Sequence, residues 1–81
     1  MRNGAMLTHT VLRWWNPRQC KPKQGQLVVG TIDYKVGSCT YTRELAILTY
    51  WKDTGYEFAD GSEVDDLVVH AWADLEPYGG D

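Results

Sequence analysis

Apolar and polar positions alternate most regularly in the middle of this chain. Over residues 27–34, Leu27, Val29 and Thr31 fall on one side of an extended backbone, and Val28, Gly30, Ile32 and Tyr34 on the other. With its β-branched and aromatic content, this stretch predicts a strand. Lys35 to Ser38 reads as a turn, and residues 39–51 contain a second strand in which Leu45, Ile47, Thr49 and Trp51 oppose Ala46, Leu48 and Tyr50. Apolar residues on both of its faces predict a central position in a sheet. Lys52 to Gly55 then reads as a hairpin loop, residues 56–59 as a short returning strand, and Asp60 to Ser62 as a further turn.

The ends of the pattern are less regular. Residues 1–10 read as a flexible or edge segment, and residues 11–15 form a first apolar cluster that Asn16 and Pro17 should terminate in a turn. Pro22 and Gly25 keep residues 18–24 irregular. Near the other end, two periods compete. Val64, Leu67, Val68, Ala71, Trp72 and Leu75 follow helical spacing, with Ser62 as N-cap, Asp65 at N3 and Pro77 as terminator. As a strand, the same stretch would put Val68, His70 and Trp72 on one face and Leu67, Val69 and Ala71 on the other. The expected fold is a mainly β single domain over residues 1–81, an antiparallel sheet of three to five strands with the Trp and Tyr residues packed on one side. The alternative is α+β, with one helix near residues 63–76.

At 81 residues the chain can build only a modest core, so function is expected on a surface, a rim or an oligomer interface. The longest apolar cluster, residues 45–48, is far below the roughly 20 residues that span a bilayer, and the first residues lack the apolar stretch of a secretory leader. The chain therefore reads as cytoplasmic, with no membrane partner. In that setting Cys20 and Cys39 are expected as thiols. With His9 and His70 they are the only soft metal ligands, and none forms the close pair that structural zinc uses, so neither metal nor cofactor is expected.

Charge changes the picture more than composition does. The net charge of -3 hides a division along the chain. All eight Lys and Arg lie from Arg2 to Lys52, beside just two acids, Asp33 and Glu44; nine acids and no Lys or Arg follow from Asp53 onward. Two opposed surface patches would result unless neighbouring strands pair the charges internally.

No serine sits in a nucleophile elbow, and no phosphate-binding glycine spacing occurs. Counted as a calcium loop from Asp60, the acidic stretch puts Gly61 second, and Val64 and Ala71 at the fifth and twelfth positions, where ligands are needed, so that reading fails. His70, near Asp65, Asp66 and Asp74 in sequence, is the only acid-base candidate, and a packed structural histidine is the simpler reading, so no enzyme is expected. Trp14, Trp15, Trp51 and Trp72 read as core, except that adjacent Trp14 and Trp15 cannot share one strand face, leaving one exposed.

Two binding surfaces remain. Asp53, Glu57, Asp60, Glu63, Asp65 and Asp66 place six carboxylates within fourteen residues, a solvated face or a surface complementary to a basic protein. Arg13, Trp15, Arg18, Lys21 and Lys23, alongside Trp14, combine cations with aromatic groups, as single-stranded nucleic acid sites do.

Trp14, then Pro22, Lys23, Gln24 and Gly25, then Val28 and Val29, resemble the opening of a family of short phage and prophage proteins of unassigned function. That family begins with Trp, Pro-x-x-Gly and a Val-rich strand. Tyr50, Trp51, Gly55 and the stretch from Tyr56 to Phe58 resemble its middle, and Val68, Val69, His70, Trp72, Leu75 and Pro77 its His-Trp-x-x-Leu-x-Pro-like tail. Lys21 stands where an apolar residue is usual, and Asp74 and Glu76 stand where prolines are expected. The resemblance implies a mobile-element origin and a strand for the last segment, and brings no catalytic residues. The resulting expectation is an interaction protein that inhibits a host defence or nucleic-acid-handling protein, such as a CRISPR complex, through the acidic surface. Nucleic-acid binding by the basic half, and a structural or homodimerising role, are the alternatives.

Overall fold

A computed structural model of the chain describes residues 13–75. Within them lie four antiparallel strands in one sheet: β1 (Leu27–Val36), β2 (Cys39–Trp51), β3 (Gly55–Phe58) and β4 (Asp65–Asp74), in the order β3-β2-β1-β4. The mainly β expectation holds, and no helix occurs among the described residues. Residues 1–10 and Pro77 lie outside them.

β1 and β2 join through a two-residue loop, with Val36 paired to Cys39 and Gly37 at φ 60°, the first-position glycine of a type II′ turn. The strands thus run two residues further than the turn expected at Lys35 to Ser38. Gly55, at φ 90°, closes the β2–β3 turn and pairs with Trp51. β2 is central, as its two apolar faces predict.

The last segment is a strand, which decides against the helix over residues 63–76. Its faces divide differently from simple alternation. Thr31 pairs with Ala71 and Ile32 with Val69, so His70 is the extra residue of a β-bulge. One inserted residue reverses the alternation beyond it: Leu67, Val69 and Trp72 pack on the core side, while His70 reaches across to Asp33 of β1 on the other.

The core is one face of the sheet. Val28, Ile32 and Leu48 are fully buried, and Trp72 nearly so, with Tyr34, Ala46, Tyr56, Phe58 and Leu67 packed against them. Tyr56 from β3 lines the same depression as Leu67 and Val69 from β4, so the two sheet edges curl toward each other around this concave side. Gly30 fits here because a Cβ would stand 2.6 Å from Leu48 Cδ1. One end is closed by the irregular segment before β1. Trp15 and Trp72 exchange backbone hydrogen bonds (2.7 and 3.1 Å), and Trp72 Nε1 donates to the Cys20 carbonyl at 2.9 Å.

Of the four tryptophans, expected in the core save one of Trp14 and Trp15, only Trp72 is buried. Trp14 and Trp15 are about two-fifths exposed and Trp51 is half-buried. A sheet that curls over a single face has room for one large indole, and the others fall on its rim and outer side.

Candidate functional site

The six carboxylates singled out in the sequence are all exposed. Asp53 occupies the β2–β3 turn, Glu57 the edge strand β3, and Asp60 and Glu63 the connection that leaves β3. These four follow one edge of the sheet and the chain leaving it. Asp65 and Asp66 begin β4, the opposite edge, so the structure divides the acidic run rather than gathering it. Glu63 lines an open depression of about 500 Å³ with Tyr56, Phe58 and Leu67. By alternation, the Glu57 side chain belongs to the face opposite Tyr56 and Phe58.

Internal neutralisation is limited. The described residues hold one lysine–carboxylate pair, Lys35 to Asp66 at 3.5 Å, and one histidine–carboxylate contact, His70 to Asp33 at 3.0 Å. The Asp60 carboxylate accepts the Ser62 backbone N–H at 2.9 Å, and the Ser62 backbone and side chain hold its pKa below the usual carboxylate value. It therefore keeps its charge at neutral pH.

The cationic and aromatic residues converge elsewhere. The segment before β1 is held by the Trp15 bridge to β4, by an Asn16 side chain that accepts the Arg18 N–H at 2.8 Å, and by Gly25, whose N–H reaches the Tyr50 carbonyl at 2.7 Å. On this frame Arg13, Trp15, Arg18, Lys21 and Lys23 are exposed, with Pro22 buried between the two lysines. Trp15, Lys21 and Lys23 line a depression of about 440 Å³ beside Trp72 and Asp74. Lys21 and Arg18 border a second, of about 470 Å³, with Tyr56 and Val69. Arg13 lines neither of these two depressions.

One titratable centre escaped the sequence reading. Asp33 Oδ1 accepts the Arg43 backbone N–H at 2.9 Å, and its Oδ2 lies 3.0 Å from His70 Nε2. The second contact is close without the alignment of a hydrogen bond. The Arg43 hydrogen bond, followed by His70, lowers the Asp33 pKa. Arg43, at φ 53°, and His70 mark irregularities in β2 and β4 on either side of Asp33, so one carboxylate ties both neighbouring strands to β1. Its signal in the sequence was an acid inside an otherwise apolar strand. The carboxylate that meets His70 is thus Asp33, across the sheet, and no acid-base group forms from Asp65, Asp66 or Asp74.

Cys20 is half-buried and Cys39 exposed, both as free thiols. No cluster of three or more metal-ligating side chains occurs among the described residues. No helix among them is long and apolar enough to cross a membrane. Compared with known proteins, the chain matches no family model, no curated protein and no solved structure.

Proposed function

We propose that this chain is a non-enzymatic interaction domain whose acidic β3 edge engages a basic surface on another protein. The observation that carries this reading is that Asp53, Glu57, Asp60 and Glu63 are exposed along one short edge strand and its connections, with no ion-pair partner among the described residues. Unpaired carboxylates in that arrangement accelerate encounter with a cationic surface and penalise acidic ones. A narrower reading follows from the resemblance to short phage proteins, the small size and the divided charge. In it the partner is a host defence or nucleic-acid-handling protein in the bacterial cytoplasm, and the domain inhibits it by occupying its phosphate-binding groove.

Affinity capture from bacterial lysate tests this. The wild-type chain should retain a basic partner that elutes as salt rises, because screening weakens such contacts. Reversing Glu57, Asp60 and Glu63 to Lys should abolish retention. Equal retention by the reversed chain would refute the acidic edge as the binding surface.

A further inference from the structure

We infer that the depression between Trp15, Lys21 and Lys23, beside β4 where the segment before β1 closes the sheet, is a second binding site, and that its ligand is a short single-stranded nucleic acid. Three features support this. First, Trp15 is a platform with an anchored backbone and a ring packed beside a buried one. Both of its backbone groups are bonded to Trp72, whose own ring is fastened by the Cys20 carbonyl, and the two rings lie 6.1 Å apart at 31°. Yet 39% of Trp15 remains open to solvent. An indole that is anchored but incompletely covered suits base stacking, which needs a π face already in place and gains little from a mobile one.

Second, Lys21 and Lys23 stand on the same rim with no acid paired to either among the described residues. Buried Pro22 separates them, so the turn fixes where both side chains begin. Arg18 follows on the far side of Lys21, in the adjoining depression. Two cations thus stand beside the indole and a third in the depression that shares Lys21, the elements of a backbone track beside a stacking group.

Third, Asp74, the one acid lining the depression among the described residues, is hydrogen-bonded. Asp74 Oδ1 accepts a hydrogen bond from Gln26 Nε2 at 2.7 Å, and the Gln26 Oε1 accepts the Lys23 N–H at 2.8 Å. The Gln26 contact fixes the Asp74 carboxylate at the border of the depression, where the edge of a stacked base would meet an acceptor for its amino hydrogens. An acidic peptide would gain from the lysines and have no use for the indole or for Asp74.

Fluorescence anisotropy with end-labelled single-stranded oligonucleotides of about ten residues tests the site on the full chain. At low salt, saturable binding is expected, with log K falling against log salt at a slope near -2, from about 0.7 per cation for three cations. Lys21→Ala with Lys23→Ala should shrink that slope by about two-thirds and weaken binding at least tenfold. Trp15→Leu should weaken binding about tenfold with the slope unchanged, while Trp15→Phe should recover most of the loss. Circular dichroism on each variant separates loss of the site from loss of the fold, and Trp15→Phe provides a milder change if Trp15→Leu unfolds. Absence of binding at low salt would overturn the inference. So would equal affinity for poly-glutamate, or a Trp15→Leu chain that binds as wild type.

Discussion

Alternate residues on the same two strands meet opposite fates. On the concave side Val28, Ile32 and Leu48 are completely buried, while on the convex side Leu27, Ile47 and Leu45 remain 47, 44 and 65% exposed. Both sets are equally apolar in the sequence. Curvature makes the difference, since the sheet edges and the segment before β1 fold over one side, and none of the described residues cover Leu45 or Ile47 on the other. An alternating strand therefore predicts which residues share a face without predicting which face becomes the core.

The sharpest way to break this contrast is to truncate leucines three positions apart on β2. Leu48→Ala should cost about 2 to 5 kcal/mol in urea unfolding, from lost burial and the cavity left behind. Leu45→Ala should stay within about 0.5 kcal/mol. Equal effects would mean that the convex face is covered in solution. Adding volume is the next test: Gly30→Val drives side-chain atoms into Leu48 and should cost about 1 to 3 kcal/mol, read as a lowered thermal midpoint.

Two titrations refine the contrast further. The Asp33 pKa is lowered in the folded state, so its contribution is complete above the ordinary carboxylate value and disappears as pH falls through the lowered one. Asp33→Asn should therefore flatten the acid limb of stability against pH, and an unchanged limb would remove Asp33 as the tie between strands. On the concave side, burial pushes Tyr56 up to about 12, and its hydroxyl has no hydrogen-bond partner. Ultraviolet titration should show a tyrosine step near 12, with stability lost as pH climbs from the unfolded value near 10 toward 12. Tyr56→Phe should remove that late step and leave stability unchanged or raised by up to about 1 kcal/mol.

The strands of the central hairpin were legible because β-branched and aromatic residues alternate there without interruption. The partition of β4 was not. Each face of a strand is read by parity, and the inserted His70 changes parity halfway along. Trp72 was assigned to the core correctly, whereas Trp14 and Trp15 illustrate that a large side chain near a chain's irregular segment is as readily rim as interior. For the candidate site, the exposure of every carboxylate from Asp53 to Asp66 followed from composition. Their division between opposite edges did not, because it depends on where the connection after β3 carries the chain. Asp33 went unnoticed because its partners, the Arg43 backbone and the His70 ring, are brought to it by irregular backbone that has no periodic signature.

The shortness of β3 has a further effect on the molecule's behaviour in concentrated solution. Four residues offer few free backbone groups for another chain to add to, and Asp53, Glu57 and Asp60 surround them with like charge. That repulsion guards an otherwise open sheet margin against fibril growth, and it weakens as salt screens it. High ionic strength should therefore promote self-association from this side of the protein.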